Sequence, residues 1–143
     1  MASGSFILWL RGLGDSGPAN EPIKSVVTSR QLANTRWSFP SAPVQPVMCN
    51  RNMNSLVDES SLLKAVRIVH SMIDKELAAG IDPKNVFLCG FSQGGALTLA
   101  STLLYPKTLG GGAVFSGWVP FNSTSTIIEQ ITAEAKQVRL NKK

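Results

Sequence analysis

The sequence contains a single histidine and few cysteines. Among its 143 residues, His70 is the only histidine, and Cys49 and Cys89 are the only cysteines. One histidine and two scattered cysteines cannot build a zinc site, and their spacing predicts no disulfide framework. Because Cys89 lies within an apolar run, we interpret it as a buried thiol. We therefore expect neither a metal nor a cofactor.

A basic leader and long apolar runs are also absent. The chain begins with Met1–Ser5, and the apolar run Phe6–Leu10 that follows is too short for a signal peptide or a membrane span. The formal net charge is +5, but much of the excess lies at the end, in Lys136, Arg139, Lys142 and Lys143. Without a basic face interleaved with exposed aromatic residues, nucleic-acid binding is not predicted. We expect a cytoplasmic protein.

Apolar runs alternate with helical patterns along the chain. Hydrophobic residues make up 43% and charged residues 16%, as in a globular domain. Strands are predicted at Phe6–Leu10, Arg36–Phe39, Val86–Cys89 and Gly110–Val119, and helices at Pro22–Leu32, after Asp58, at Leu97–Leu104 and at Thr126–Val138. This alternation predicts an α/β fold, with a mostly parallel sheet flanked by helices.

The longest predicted helix begins in the acidic stretch Asp58–Ser61 and ends before Gly80 and Pro83. Its apolar positions recur at helical spacing and form one stripe: Leu62, Ala65, Val66, Val69, Met72, Ile73 and Leu77. His70 lies at the edge of this stripe, which is typical of a residue that flanks a core.

A glycine–serine–glycine motif joins one predicted strand to the helix after it. The apolar run Val86–Cys89 passes through Gly90-Phe91-Ser92-Gln93-Gly94 into Leu97–Leu104. This context is typical of a nucleophile elbow, in which a serine on a strained turn is exposed at the carboxyl end of a strand. The following helix would aim its amino terminus at an oxyanion formed there. The alternative is an ordinary turn in which Ser92 only caps the helix.

A second glycine-rich stretch follows the first predicted strand. The spacing of Gly12, Gly14 and Gly17 matches a dinucleotide fingerprint, but Pro18 and the neutral Trp37–Pro40 provide neither the helix nor the acidic residue that the fingerprint needs. We interpret the stretch as an oxyanion loop, whose partner donor is the backbone of the residue after the serine. A plain tight turn is the structural alternative.

Five motifs occur in order along the chain. They are Leu10-Arg11-Gly12-Leu13-Gly14-Asp15-Ser16-Gly17, Phe39-Pro40-Ser41-Ala42-Pro43, Asp58-Glu59-Ser60, Gly90-Phe91-Ser92-Gln93-Gly94-Gly95-Ala96 and Phe115-Ser116-Gly117-Trp118-Val119-Pro120. Together they resemble the acyl-protein thioesterase/carboxylesterase family of α/β-hydrolases, and most closely its plant carboxylesterase branch. The resemblance implies a cytosolic serine hydrolase of carboxylic esters, with thioesters of acylated proteins or lysolipids as further substrates. It assigns Ser92 as nucleophile and the backbones of Leu13 and Gln93 as oxyanion donors.

The chain departs from that family in three places. Arg11 replaces the histidine of the oxyanion loop, and Asn50–Val57 replaces an aromatic, proline-containing segment that lines the acyl pocket. The family's catalytic aspartate and histidine have no counterpart before Lys143. In this fold the acid and the histidine follow the serine, whereas His70 precedes Ser92. We therefore expect a single, incomplete (C-terminally truncated) domain over residues 1–143, and an inactive carboxylesterase homologue.

Two alternatives from other functional classes stay open. The chain is a weak ester or acyl-protein thioester hydrolase if Ser92 uses His70 or a base from another chain. It is a non-catalytic binding protein if it holds acyl groups or a partner. An early end of the sheet would also leave a strand edge unpaired, which predicts self-association.

Overall fold

In the described part of the chain, four parallel strands form one sheet. The computed structural model describes residues 4–11, 18–27, 29–41 and 59–120, together with residues 129 and 133. The strands are β1 (Phe6–Leu10), β2 (Arg36–Ser38), β3 (Val86–Phe91) and β4 (Gly111–Phe115), in the spatial order β2-β1-β3-β4. All three pairings are parallel. The predicted α/β fold with a parallel sheet is confirmed.

Within residues 18–27, 29–41 and 59–120, three α-helices accompany the strands. They are α1 (Ile23–Val26), α2 (Glu59–Ala78) and α3 (Gln93–Leu104), with short 3-10 turns at Pro18–Asn20, Arg30–Leu32 and Pro83–Asn85. The prediction of one helix over Pro22–Leu32 is wrong in extent. The four residues of α1 bury no side chain, so packing does not offset the weak helix propensity of the β-branched residues that follow.

The apolar stripe of α2 is confirmed as the packed side of that helix. Leu62, Val66, Val69 and Ile73 are buried, and the remaining stripe positions are half-buried. Beyond the helix, Gly80 adopts a φ of 101°, and its neighbour Ile81 donates a backbone hydrogen bond to the carbonyl of Glu76 at 3.2 Å. Glycine ends the helix at this point because a side chain is disfavoured at such a φ.

The main core lies between the sheet and its helices. Leu8 and Leu88, from the two central strands, are fully buried against Val69 and Ile73 of α2. Alternate strand residues point to opposite faces, so Leu8 and Leu88 define the sheet face that α2 covers. A side-chain ion pair between Arg36 and Glu76 also connects β2 to α2.

Two further predictions concern the end of the described region. The strand predicted over Gly110–Val119 is shorter, because β4 ends where Ser116 adopts a φ of 50°. The helix predicted at Thr126–Val138 lies outside the described residues, apart from residues 129 and 133. None of the helices in the described ranges is long and apolar enough to cross a membrane.

Candidate active site

Ser92 occupies the turn between β3 and α3 with an unusual backbone conformation. Its φ of 54° and ψ of −117° lie in a region that residues with a side chain rarely adopt. Its side chain makes no capping hydrogen bond to α3. Because the hydroxyl does not cap the helix, the capping alternative does not explain the serine. Conformations of this kind cost about 1–3 kcal/mol and concentrate at functional sites.

Backbone hydrogen bonds hold this turn on both sides. The N–H of Ser92 donates to the carbonyl of Phe115 at 2.8 Å, which ties the turn to the carboxyl end of β4. The carbonyl of Ser92 accepts from the N–H of Ala96 at 3.1 Å, which is the first helical bond of α3. The turn therefore lies between two regular elements that fix its conformation.

The two glycines of the motif allow close backbone contact. A Cβ on Gly90 would lie 2.2 Å from the carbonyl oxygen of Gly94, and a Cβ on Gly94 would lie 2.1 Å from that of Leu10 and 2.4 Å from that of Arg11. All three distances are far shorter than van der Waals contact. Glycine at position 94 thus lets the first turn of α3 rest directly on the chain that leaves β1.

The first amides of α3 provide the electropositive side of the site. Gln93 is the first residue of this twelve-residue helix, and the first four N–H groups of a helix have no acceptor within it. Together with the helix dipole, they favour negative charge near Ser92. Leu13, the other predicted donor, lies outside the described residues, so the structure brings only Ser92 and Gln93 together.

Two aromatic side chains flank the turn, and neither is a site residue that the motifs predict. Phe91 and Phe115 are register partners at the ends of β3 and β4, and their exposed fractions are 45% and 49%. Phe115 stacks on Trp9 of β1, with 5.7 Å between the ring centroids. A sequence signal exists, because each phenylalanine lies in or next to a predicted strand and directly precedes a serine. The exposure of the two rings depends on which segments cover the sheet. The residue pattern carries no information about that coverage.

His70 is engaged away from the turn. Its Nε2 lies 2.9 Å from the backbone carbonyl oxygen of Ser101, and because a carbonyl only accepts, Nε2 is the donor. Ser101 lies nine residues after Ser92 on α3, which is about 13 Å along the helix. His70 also contacts the Tyr105 ring edge-on at 5.0 Å between centroids. The histidine therefore links α2 to α3.

Tyr105 completes this interhelical cluster. Its hydroxyl donates to Oδ1 of Asp74 at 2.5 Å. Burial raises the pKa of Tyr105, and the hydrogen bond and the negative charge of Asp74 raise it further. Asp74 and His70 are one turn apart on α2, and both contact groups at the end of α3. The cluster therefore fixes how α2 packs against α3.

Cys89 lies on β3 opposite Trp9 of β1. It is a free, half-buried thiol, so the predicted burial is only partial. Burial raises the pKa of the Cys89 thiol, and a backbone hydrogen bond from Ala113 lowers it to a smaller extent. The thiol is therefore kept in its protonated, poorly nucleophilic form. In the described part of the chain, no three His, Cys, Asp or Glu residues are grouped to hold a metal ion.

A serine on a positive-φ turn between a parallel strand and a helix, flanked by glycines, is the arrangement that α/β-hydrolases use. The sequence model of the phospholipase/carboxylesterase family matches residues 2–139. The chain belongs to this family, and its fold is that of an α/β-hydrolase.

Plant proteins are among its most similar relatives. A protein of Arabidopsis thaliana named "Probable carboxylesterase SOBER1-like" is 61% identical, over 93% of this chain and 56% of its own length. A rice protein, Oryza sativa subsp. japonica "Probable inactive carboxylesterase Os04g0669700", is 50% identical, over 92% of this chain and 60% of its own. More distant relatives include fungal acyl-protein thioesterases. The chain thus spans about 56–60% of the length of the two plant relatives.

A crystal structure of Arabidopsis thaliana SOBER1 superposes with a TM-score of 0.83 at 58% identity. The superposition covers 92% of this chain and 69% of that chain. The predicted resemblance to plant carboxylesterases and, more distantly, to acyl-protein thioesterases is therefore confirmed.

The strain at Ser92 leads to a stability prediction. Ser92→Gly should raise the free energy of unfolding by about 1 kcal/mol, because relief of a strain of about 1–3 kcal/mol outweighs the entropic cost of glycine, about 0.5–1 kcal/mol. Ser92→Ala keeps the Cβ and is the matched control, with an expected change near zero. Urea denaturation of both variants measures the difference. A Ser92→Gly variant no more stable than Ser92→Ala would show that the turn is unstrained.

Proposed function

We propose that the 143-residue chain is an inactive carboxylesterase homologue, with a nucleophile position but no base of its own. Ser92 is the nucleophile position, and the backbone N–H groups of Leu13 and Gln93 are the oxyanion donors. The observation that carries the proposal is the placement of His70. The sequence contains no other histidine, and His70 donates to Ser101 about 13 Å along α3 from Ser92.

A serine hydroxyl needs a base to remove its proton as it attacks an acyl carbon. Without one, binding and oxyanion stabilisation alone support roughly a 10³–10⁴-fold acceleration over water. Working enzymes reach about 10⁶-fold or more. The intact turn therefore does not compensate for the missing base.

The rice relative whose name includes "inactive" is 50% identical to this chain and supports the proposal of inactivity. The substrate class that the ancestral site accepted is proposed to be carboxylic esters, with acyl-protein thioesters as the second class. This follows from the names of the family and of its relatives, "Phospholipase/Carboxylesterase" and "Acyl-protein thioesterase 1".

Esterase assays test the proposal. The purified chain and its Ser92→Ala variant should hydrolyse a short-chain p-nitrophenyl ester at the same background rate, because no base activates the serine. Circular dichroism of both samples is the control for folding. A saturable rate that is lost in Ser92→Ala would contradict inactivity and favour the weak-hydrolase alternative. His70→Gln would then show whether His70 is the base.

A further inference from the structure

The outer side of α2 carries positive charge. Lys64, Arg67 and Lys75 are all exposed on this helix. At 3.6 residues per turn, their positions lie within about 80° of one another around the helix axis, so the three side chains leave the same side. Val66 and Val69 are buried on the opposite side. The three cations therefore project away from the core.

The helix supplies no acidic residue to pair with these cations. Side chains on a helix meet at spacings of three and four residues, and no residue at those spacings from any of the three is acidic. Within the described residues, the ion pairs join Lys24 to Glu21 and Arg36 to Glu76, and none involves the three cations. The positive charge of this side is therefore not neutralised by its own helix.

Two acidic residues of α2 border this side, and both are engaged with other elements. Asp74 accepts a hydrogen bond from the hydroxyl of Tyr105 at the end of α3. Glu76 forms the side-chain ion pair with Arg36 of β2. The two carboxylates are therefore directed towards α3 and β2, and the cations between them stay available to a partner.

A half-exposed isoleucine lies among the cations. Ile68 is 42% exposed, and it lies beside Arg67. A line of four residues runs through it at intervals of four, three and four positions: Lys64, Ile68, Ser71 and Lys75. This spacing is that of the seam along which two helices pack. We call these four residues the basic seam, and it is about 16 Å long.

We propose that the basic seam is a docking surface for an acidic helix of another protein. The partner helix places carboxylates against Lys64 and Lys75 at the two ends of the seam, and an apolar side chain on Ile68 between them. Arg67, beside the seam, provides a further cation. Charge pairs along such a contact decide which helices associate and in which orientation. The inference does not depend on Ser92 or on catalysis.

Other occupants fit the basic seam less well. A second copy of the chain carries the same net charge of +5, which opposes association. A helix that binds a membrane buries its apolar face in lipid, whereas the apolar face of α2 packs on the sheet through Val69 and Ile73. Only Ile68 is left for insertion, so the observations favour a protein helix with complementary charge.

Peptide binding tests the proposal. The probe is a fluorescent peptide of three Glu-Ala-Ala-Leu-Glu-Ala-Glu heptads, and the same peptide with lysine in place of every glutamate is its control. Fluorescence anisotropy with the full 143-residue chain should give a Kd on the order of 100 μM in about 0.1 M NaCl, because exposed ion pairs contribute only about fivefold each at most. Affinity should fall at least about threefold in about 0.5 M NaCl, since salt screens exposed charges. The lysine peptide should not bind.

Charge-matched variants locate the binding site. Arg67→Glu combined with Lys75→Glu should weaken binding at least about tenfold, because two attractive contacts become repulsive. Ile68→Ser should weaken it about threefold through loss of the apolar contact. The control combines Lys84→Glu with Lys107→Glu, two exposed positions outside α2 that change the net charge equally. It should weaken binding less than about twofold, since salt screens charges beyond about 10 Å. Circular dichroism shows whether each variant is folded.

Each outcome bears on the proposal in a defined way. Binding that the α2 variants weaken and the control variant retains supports the basic seam. No binding of the acidic peptide, or equal losses in the two double variants, overturns it, because the net charge alone would then explain any attraction. Sedimentation with phosphatidylserine vesicles but no peptide binding overturns it in favour of a membrane surface. A dimer of the chain alone that Ile68→Ser dissociates overturns it in favour of a second copy.

Discussion

Gly94→Ala should lower the free energy of unfolding by about 3 kcal/mol, since inserting atoms into a close-packed site costs typically 1–3 kcal/mol and occasionally more. The added Cβ would lie 2.1 Å from the Leu10 carbonyl oxygen and 2.4 Å from that of Arg11. Both are backbone atoms at the end of a central strand, so neither can turn aside as a side chain could. The better helix propensity of alanine, worth about 1 kcal/mol, does not offset this clash.

The measurement for Gly94→Ala is thermal or urea denaturation followed by circular dichroism. For a domain of this size we expect a decrease in Tm on the order of 10 °C, at about 2–4 °C per kcal/mol. Gly111→Ala is the matched control, because its Cβ would be no closer than 3.7 Å to a neighbouring atom, the Cδ1 of Phe87. Equal stabilities of the two variants would show that α3 does not rest on the end of β1 as described.

Much of the fold was predictable because local patterns and tertiary structure agree there. The run Val86–Cys89 has strand propensity and leads through the glycine–serine–glycine motif into a helical pattern, so both β3 and α3 follow from the sequence. The helix α2 follows equally from its apolar stripe. Where the residues of a helical pattern are not packed against the core, as at Ile23–Val26, the helix is shorter than predicted.

The candidate site was predictable only in its local part. The motif around Ser92 specifies a turn of fixed geometry, so Ser92 and Gln93 follow from residue spacing. The half-exposed Phe91–Phe115 pair depends on which layers cover the sheet, and spacing carries no information about that. The hydrogen bond from His70 to Ser101 joins residues 31 positions apart, so the position of the histidine required the structure.

These local and non-local features have different consequences for activity. The strained turn and the helix amino terminus are properties of β3, α3 and the residue that joins them, and all of these lie within the described residues. The proton transfer that makes a serine nucleophilic needs a group from elsewhere in the fold. The geometry of the nucleophile position therefore does not depend on the group that would remove the proton of the serine.

Leu88→Ala should lower the free energy of unfolding by about 3–4 kcal/mol, within the range of about 2–5 kcal/mol known for buried leucines. Leu88 is fully buried in the strand that leads to Ser92, where it packs in the cluster that includes Leu8 and Ile73. Removing its side chain loses apolar burial and leaves a cavity that a sheet and a long helix cannot close. Leu103→Ala is the matched control, since Leu103 is 40% exposed on α3 and should cost about 1 kcal/mol or less. Urea denaturation measures both changes in the free energy of unfolding. Similar losses for the two leucines would contradict a core centred on β3. Stability would then not depend on burial in the strand that carries the candidate site.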